Sequence, residues 1–178
     1  LCGEWSVREV AAHLAVPLEV SLPKFTLAIV KAGGSFDKAN RRLARKHAQR
    51  PFSELVEVLR AKAESRFTPP GAGPEAPLTD LLVHSLDIRW PLSMPRQIPE
   101  HRMKISLDHV ASPAAAGVAP KGALAGLHFE ATDLEWAHGD GPSVTGSAEA
   151  LLLAMTGRKI ALAQLQGDGV ATLTSRLP

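Results

Sequence analysis

Asp80, His84 and Asp87 share one stretch, Leu78-Thr-Asp-Leu-Leu-Val-His-Ser-Leu-Asp-Ile-Arg-Trp-Pro. At about 100° per helical residue, the three side chains fall within one narrow stripe of a helix. Leu81, Val83, Leu86, Ile88 and Trp90 cover most of the remaining surface, so the stripe is expected to turn inward. Two carboxylates and an imidazole are costly there unless they are paired or ligated. Two readings fit the stretch taken alone: a structural His–Asp network on a half-buried helix, and half of a metal site.

A second imidazole bears on that choice. His13 lies in Trp5-Ser-Val-Arg-Glu-Val-Ala-Ala-His-Leu, where Ser6 and Glu9 have the spacing of a capping box and Trp5 with Val10 that of a hydrophobic staple. A helix starting there carries His13 one turn past Val10, at the edge of its apolar stripe. A single histidine in that place is more often a hydrogen bonder at the rim of a core. Two helices that each offer an imidazole, with a carboxylate one turn before the second, do however match a catalytic zinc: three protein ligands and a fourth position for water or substrate. The candidate ligands are His13, Asp80 and His84, and Asp87 is placed to accept the other N–H of a ligand imidazole.

The elements that must position these residues divide near residue 95. The first part reads helical over about 6–16, about 18–32 with a break or kink at Pro23, about 52–67 with Ser53 as its cap, and about 78–90. Thr68-Pro-Pro-Gly-Ala-Gly-Pro-Glu-Ala-Pro separates the last two as a loop. A helical bundle follows, with sites made by side chains on facing helices. Beyond it, alternation over about 124–131 and 133–138 argues for strands with Leu127, Phe129, Leu134 and Trp136 inward. His138-Gly-Asp-Gly-Pro reads as a turn and Ser143-Val-Thr as a short strand. A helix over about 147–155 closed by Gly157, a helical turn over about 160–165, and a last strand over about 170–174 after Gly167-Asp-Gly complete it. A helix over about 100–110 and a Pro/Gly/Ala linker over about 111–122 fill the junction. The expected class is α plus α+β, with a helical bundle over 1–95 and a small α+β domain over 96–178.

Composition narrows the function classes. The 178 residues are 45% hydrophobic and 21% charged, which suits compact domains with a real core rather than a disordered or fibrous chain. A net charge of +2 does not by itself imply a nucleic-acid partner. The basic cluster Lys38, Arg41, Arg42, Arg45, Lys46 and Arg50 contains no aromatic residue for base stacking, and reads as a solvated face or as steering for an anionic substrate. A single cysteine, Cys2, rules out an internal disulfide and fits a reducing, cytoplasmic setting; beside Trp5 it reads as a packed, inert thiol. No apolar run reaches membrane-spanning length and nothing resembles a signal peptide, although the chain does not begin with Met and a preceding piece is expected.

Cys2-Gly-Glu-Trp-Ser-Val-Arg-Glu-Val-Ala-Ala-His-Leu, Phe36-Asp-Lys-Ala-Asn, the 78–92 stretch, and Gly157-Arg158 followed by Leu165-Gln-Gly-Asp-Gly together resemble the actinobacterial maleylpyruvate isomerase family of mycothiol-dependent enzymes, in the family's order. The resemblance implies a metal-binding DinB-type four-helix bundle followed by a smaller domain similar to sterol carrier proteins. It implies that His13 and His84 are ligands, with Asp80 where the family's isomerase type carries Glu. It also implies mycothiol as the thiol cofactor, added to a cis-enedioyl acid so that rotation and elimination give the trans isomer, or transferred to another small electrophile; the alternative is a non-catalytic metal- or small-ligand-binding module. A metal that stabilises the thiolate needs no catalytic cysteine from the protein, in agreement with Cys2 being alone. Arg158 is the residue expected to hold a substrate carboxylate or developing enolate through its fork of donors, the other reading being a charge at a helix end. Arg89 faces away from the Asp80 stripe and reads as structural, while Asp37 and Asn40 read equally as a turn and cap pair.

Overall fold

The computed structural model describes residues 5–95, 97–115 and 117–178, so Cys2 lies outside the described residues. The chain is mostly helical with a small three-stranded sheet, and it packs as two compact units that divide between Phe67 and Thr68.

The first unit holds α1 (Val7–Glu19), α2 (Leu22–Lys31), α3 (Phe36–His47) and α4 (Phe52–Ala61). The capping box that opens α1 is formed: Glu9 N donates to Ser6 Oγ at 3.3 Å and Ser6 N donates to Glu9 Oε2 at 2.9 Å. Pro23 does not kink a longer helix. It sits in the first turn of α2, where a missing N–H removes no helical bond, so the helix begins there. Helix α3 is an element that the sequence reading leaves out. Ser35 Oγ accepts from Lys38 N at 3.3 Å, Asp37 lies in the first turn, and Arg45, Lys46 and His47 lie in the last, so cap and charges both favour a helix. Asp37 and Asn40 are therefore helical residues rather than a turn pair. Helix α4 starts after Pro51, with Ser53 inside it rather than capping it, and ends at Ala61, short of residue 67.

Small residues let these helices approach closely. Ala12 and Ala15 of α1 pack with Leu55 of α4 in a core that Val58 and Leu59 flank, and Ala39 and Ala44 of α3 are fully buried. The basic face is partly neutralised within the unit, where Arg50 pairs with Glu19 at 2.6 Å and with Glu54 at 3.1 Å.

The second unit contains α5 (Glu75–Arg89), α6 (Glu100–Ala111), β1 (His128–Ala131), β2 (Ala137–His138), β3 (Ser143–Gly146), α7 (Ala148–Met155), a 3-10 turn at Lys159–Gln164, and α8 (Val170–Arg176). Helix α5 packs against α6 and α7, and its Leu82, Val83 and Leu86 join one core with Leu107, Phe129 and Leu152. The helix bearing Asp80 and His84 is thus built into the α+β part, and the packing units do not coincide with a division at residue 95.

The sheet has the order β2-β1-β3. Phe129 stands opposite His138 in the antiparallel pair and opposite Val144 in the parallel pair. Leu127, Phe129 and Trp136 are buried and Leu134 partly so, as the alternation predicts, and Trp136 Nε1 donates to Asp108 Oδ1 at 2.7 Å. The segment 170–174, expected as a strand, is helical. Leu173 drops fully into the core, and Thr174 Oγ1 donates back to the Val170 carbonyl at 2.8 Å, so the β-branched side chains are accommodated on a helix. Before it, Gly167 has φ +107°, and a Cβ there would run into the Ser143 carbonyl. Among the described residues, no helix is long and apolar enough to cross a membrane.

Candidate functional site

The polar stripe of α5 is graded in depth. The Asp87 side chain is wholly buried, that of His84 is 13% exposed and that of Asp80 is 44% exposed. At the buried end, Arg158 grips Asp87 with both edges of its fork: Nε donates to Oδ1 at 3.1 Å and Nη2 to Oδ2 at 2.7 Å. His84 Nδ1 donates to Asp87 Oδ2 at 2.9 Å, and Arg158 Nη1 donates to the Thr156 carbonyl at 2.7 Å. Burial by itself raises the Asp87 pKa, but the hydrogen bonds from His84 and Arg158 and the guanidinium charge outweigh it. They hold the carboxyl well below the usual carboxylate range.

Arg158 reaches Asp87 because of how α7 ends. Gly157 takes φ +89°, its N–H bonds the Ala154 carbonyl at 2.9 Å, and the Arg158 N–H bonds the Leu153 carbonyl at 2.9 Å. This is a Schellman ending with glycine in the left-handed position, and it turns Arg158 back toward α5. Gly157→Ala puts a Cβ 3.3 Å from Pro120 Cγ and a side chain at a φ that disfavours it. We expect it to cost about 1–3 kcal/mol in urea denaturation. An unchanged midpoint would show that the ending is not needed to place Arg158.

At the exposed end, His84 Nε2 stands 3.5 Å from Asp80 Oδ1. Nδ1 is the donor to Asp87, so in a neutral ring Nε2 carries the lone pair. A lone pair and a carboxylate oxygen at this separation are two donors that one cation can share. Nitrogen and oxygen donors of this kind are the set zinc takes. The residues present therefore fit a divalent cation.

His13 belongs to the first unit. Packing of α1 on α3 brings Asn40 to it, and Nδ1 meets Asn40 Oδ1 at 3.1 Å, so the carbonyl oxygen selects the tautomer with its lone pair on Nε2. Trp5 contacts the same ring edge to face, with centroids 5.3 Å apart at 68°.

Within the second unit Asp80, His84, Asp87 and Arg158 come together, and within the first Asn40 and Trp5 contact His13. Sequence reasoning missed the pairing of Arg158 with Asp87. Arg158 is not a surface charge, being only 15% exposed, and Asp87 takes the Nε and Nη2 edge of its fork. It also missed Asn40 as the orienting group of His13, because α3 itself went unread. No known protein family, curated protein or solved structure matches this chain.

Proposed function

We propose that the protein is a metal-dependent enzyme that uses a low-molecular-mass thiol, mycothiol by the family resemblance, to isomerise or conjugate a small electrophile in the cytoplasm. In this reading the first helices are DinB-like, the α+β part is sterol-carrier-like, and His13, Asp80 and His84 are the ligands. The observation that carries the proposal is the His84 Nε2 and Asp80 Oδ1 pair, two donors 3.5 Å apart with the imidazole already fixed from behind. A bound zinc ion would supply a thiol in its thiolate form near neutral pH.

The remaining work falls to the chain's own residues. Asp87 fixes the His84 tautomer and rotation, which raises the basicity of Nε2. Arg158 keeps Asp87 ionised and in place, and its remaining N–H groups, one on Nη1 and one on Nη2, are those that can meet a substrate carboxylate or enolate oxygen. Asn40 does for His13 what Asp87 does for His84, with a neutral acceptor in place of a charged one.

Zinc titration followed by elemental analysis tests the ligand set. Asp80→Ala is expected to lose about 10- to 100-fold in zinc affinity, and Asp80→Glu to stay within about tenfold, because the first removes a ligand and the second only moves it. Equal affinity in wild type and Asp80→Ala would remove Asp80 from the set. A protein that takes up no zinc at all would make Asp80, His84, Asp87 and Arg158 a structural ion network bridged by a proton.

A further inference from the structure

The opposite side of α5 carries a second polar group, about 180° around the helix from Asp80. There Arg89 lines a cleft of about 400 Å³ with Leu86, Trp90, Met94, Glu149 and Gln164, all within the second unit. Arg89 is only 13% exposed, yet its guanidinium is poorly matched. Nη1 donates to the Met94 carbonyl at 3.2 Å, while Nε and Nη2 are buried with no hydrogen-bond acceptor. The nearest carboxylate, Glu149 Oε1, is 3.7 Å from Nη2, close enough to attract but too far to accept a hydrogen bond.

Glu149 lines the same cleft with its side chain 31% exposed, so its carboxylate faces the space that Arg89 borders. Burial and Asp133 raise its pKa and Arg89 lowers it. The two buried N–H donors of Arg89 without acceptors cost free energy that a ligand carboxylate recovers. Leu86, Trp90 and Met94 give the same cleft an apolar wall, and its volume is in the range that holds small molecules.

We propose that this cleft binds a small zwitterion of the apolar α-amino acid class, its carboxylate on Arg89, its ammonium on Glu149 and its side chain against Leu86, Trp90 and Met94. The residues on its lip lie in the turn 91–94, which follows α5 and wraps back on it, with Met94 N bonding the Arg89 carbonyl at 3.0 Å. Ser93 in that turn has φ +50°, a conformation that costs a non-glycine residue energy and that gathers at ligand sites.

The test is a ligand series on the intact protein, read by the indole N–H resonance of Trp90 and by calorimetry. L-leucine is the probe, 4-methylpentanoate its analogue without the amine, and 3-methylbutylamine its analogue without the carboxylate. Leucine is expected to bind with a Kd of about 1 mM or lower, and each analogue about 10- to 100-fold more weakly, the size of losing a charge-assisted contact. Arg89→Gln and Glu149→Gln should each weaken leucine binding by a similar factor. No leucine-dependent shift up to about 10 mM overturns the proposal. Equal binding of leucine and 4-methylpentanoate also overturns it, leaving an anion site without the role for Glu149. Should either variant fail to fold, the three ligands on the wild type decide alone.

Discussion

Asp87→Ala is expected to lower the unfolding free energy by about 3–5 kcal/mol, because it leaves the Arg158 guanidinium, only 15% exposed, without its bidentate partner. That is a large share of the roughly 5–15 kcal/mol by which such domains are stable. The damage comes from the charge left behind rather than from the pair's own net worth, so Asp87→Ala combined with Arg158→Met should recover most of the loss. Urea denaturation of the two single variants and the double measures this. A loss below about 1 kcal/mol for Asp87→Ala would mean that water or another acceptor takes over the guanidinium. The same pairing gives a pH signature. The folded-state pKa of Asp87 is depressed, so its contribution is present in full above its unfolded value of about 3.9 and fades as pH falls from there toward the folded value. Asp87→Asn should therefore flatten the stability curve of the wild type below about pH 4.

What could be read from the sequence was what its local chemistry determines. The start of α1 was legible because Ser6 and Glu9 satisfy each other three residues apart, and the stripe of Asp80, His84 and Asp87 because one helical period aligns it. Helix α3 was lost to its composition. Six basic positions over 38–50 suggested a charged surface, although the Ser35 cap and the basic last turn were signals of a helix in the same residues. The segment of α8 was misread because Val170, Thr172 and Thr174 favour strands, and only the burial of Leu173 in a core made elsewhere decides otherwise. Partners distant in the chain were out of reach altogether. Arg158 and Asp87 are 71 residues apart, and a Gly-Arg pair at a helix end does not say which carboxylate it will meet. The packing of α5 was out of reach for a related reason: it looks like the last helix of a bundle, but its Leu82, Val83 and Leu86 find their partners in α6, α7 and the sheet.

Arg158→Ala gives the largest expected effect on catalysis, a fall in kcat/KM for thiol-dependent turnover of about 10²- to 10³-fold. The bond pattern predicts two separable parts. Arg158 holds Asp87, and Asp87 holds the Nδ1 of His84, so the variant should weaken zinc binding by about tenfold, the usual size for losing support behind a ligand. The rest should persist at saturating zinc if the two remaining guanidinium N–H groups meet the substrate anion, and should be larger for carboxylate-bearing electrophiles than for neutral ones. Arg158→Lys sharpens the distinction, since a lysine keeps the charge but cannot offer a fork to Asp87. The measurement is turnover of cis-enedioyl acids, epoxides and activated halides with mycothiol, at limiting and at saturating zinc, with circular dichroism to show that each variant is folded. If saturating zinc restores Arg158→Ala to wild-type kcat/KM, Arg158 is a positioning residue only. If the zinc-loaded wild type turns over none of these substrates with the thiol, the proposed chemistry is wrong, and the grip of Arg158 on Asp87 serves the fold alone.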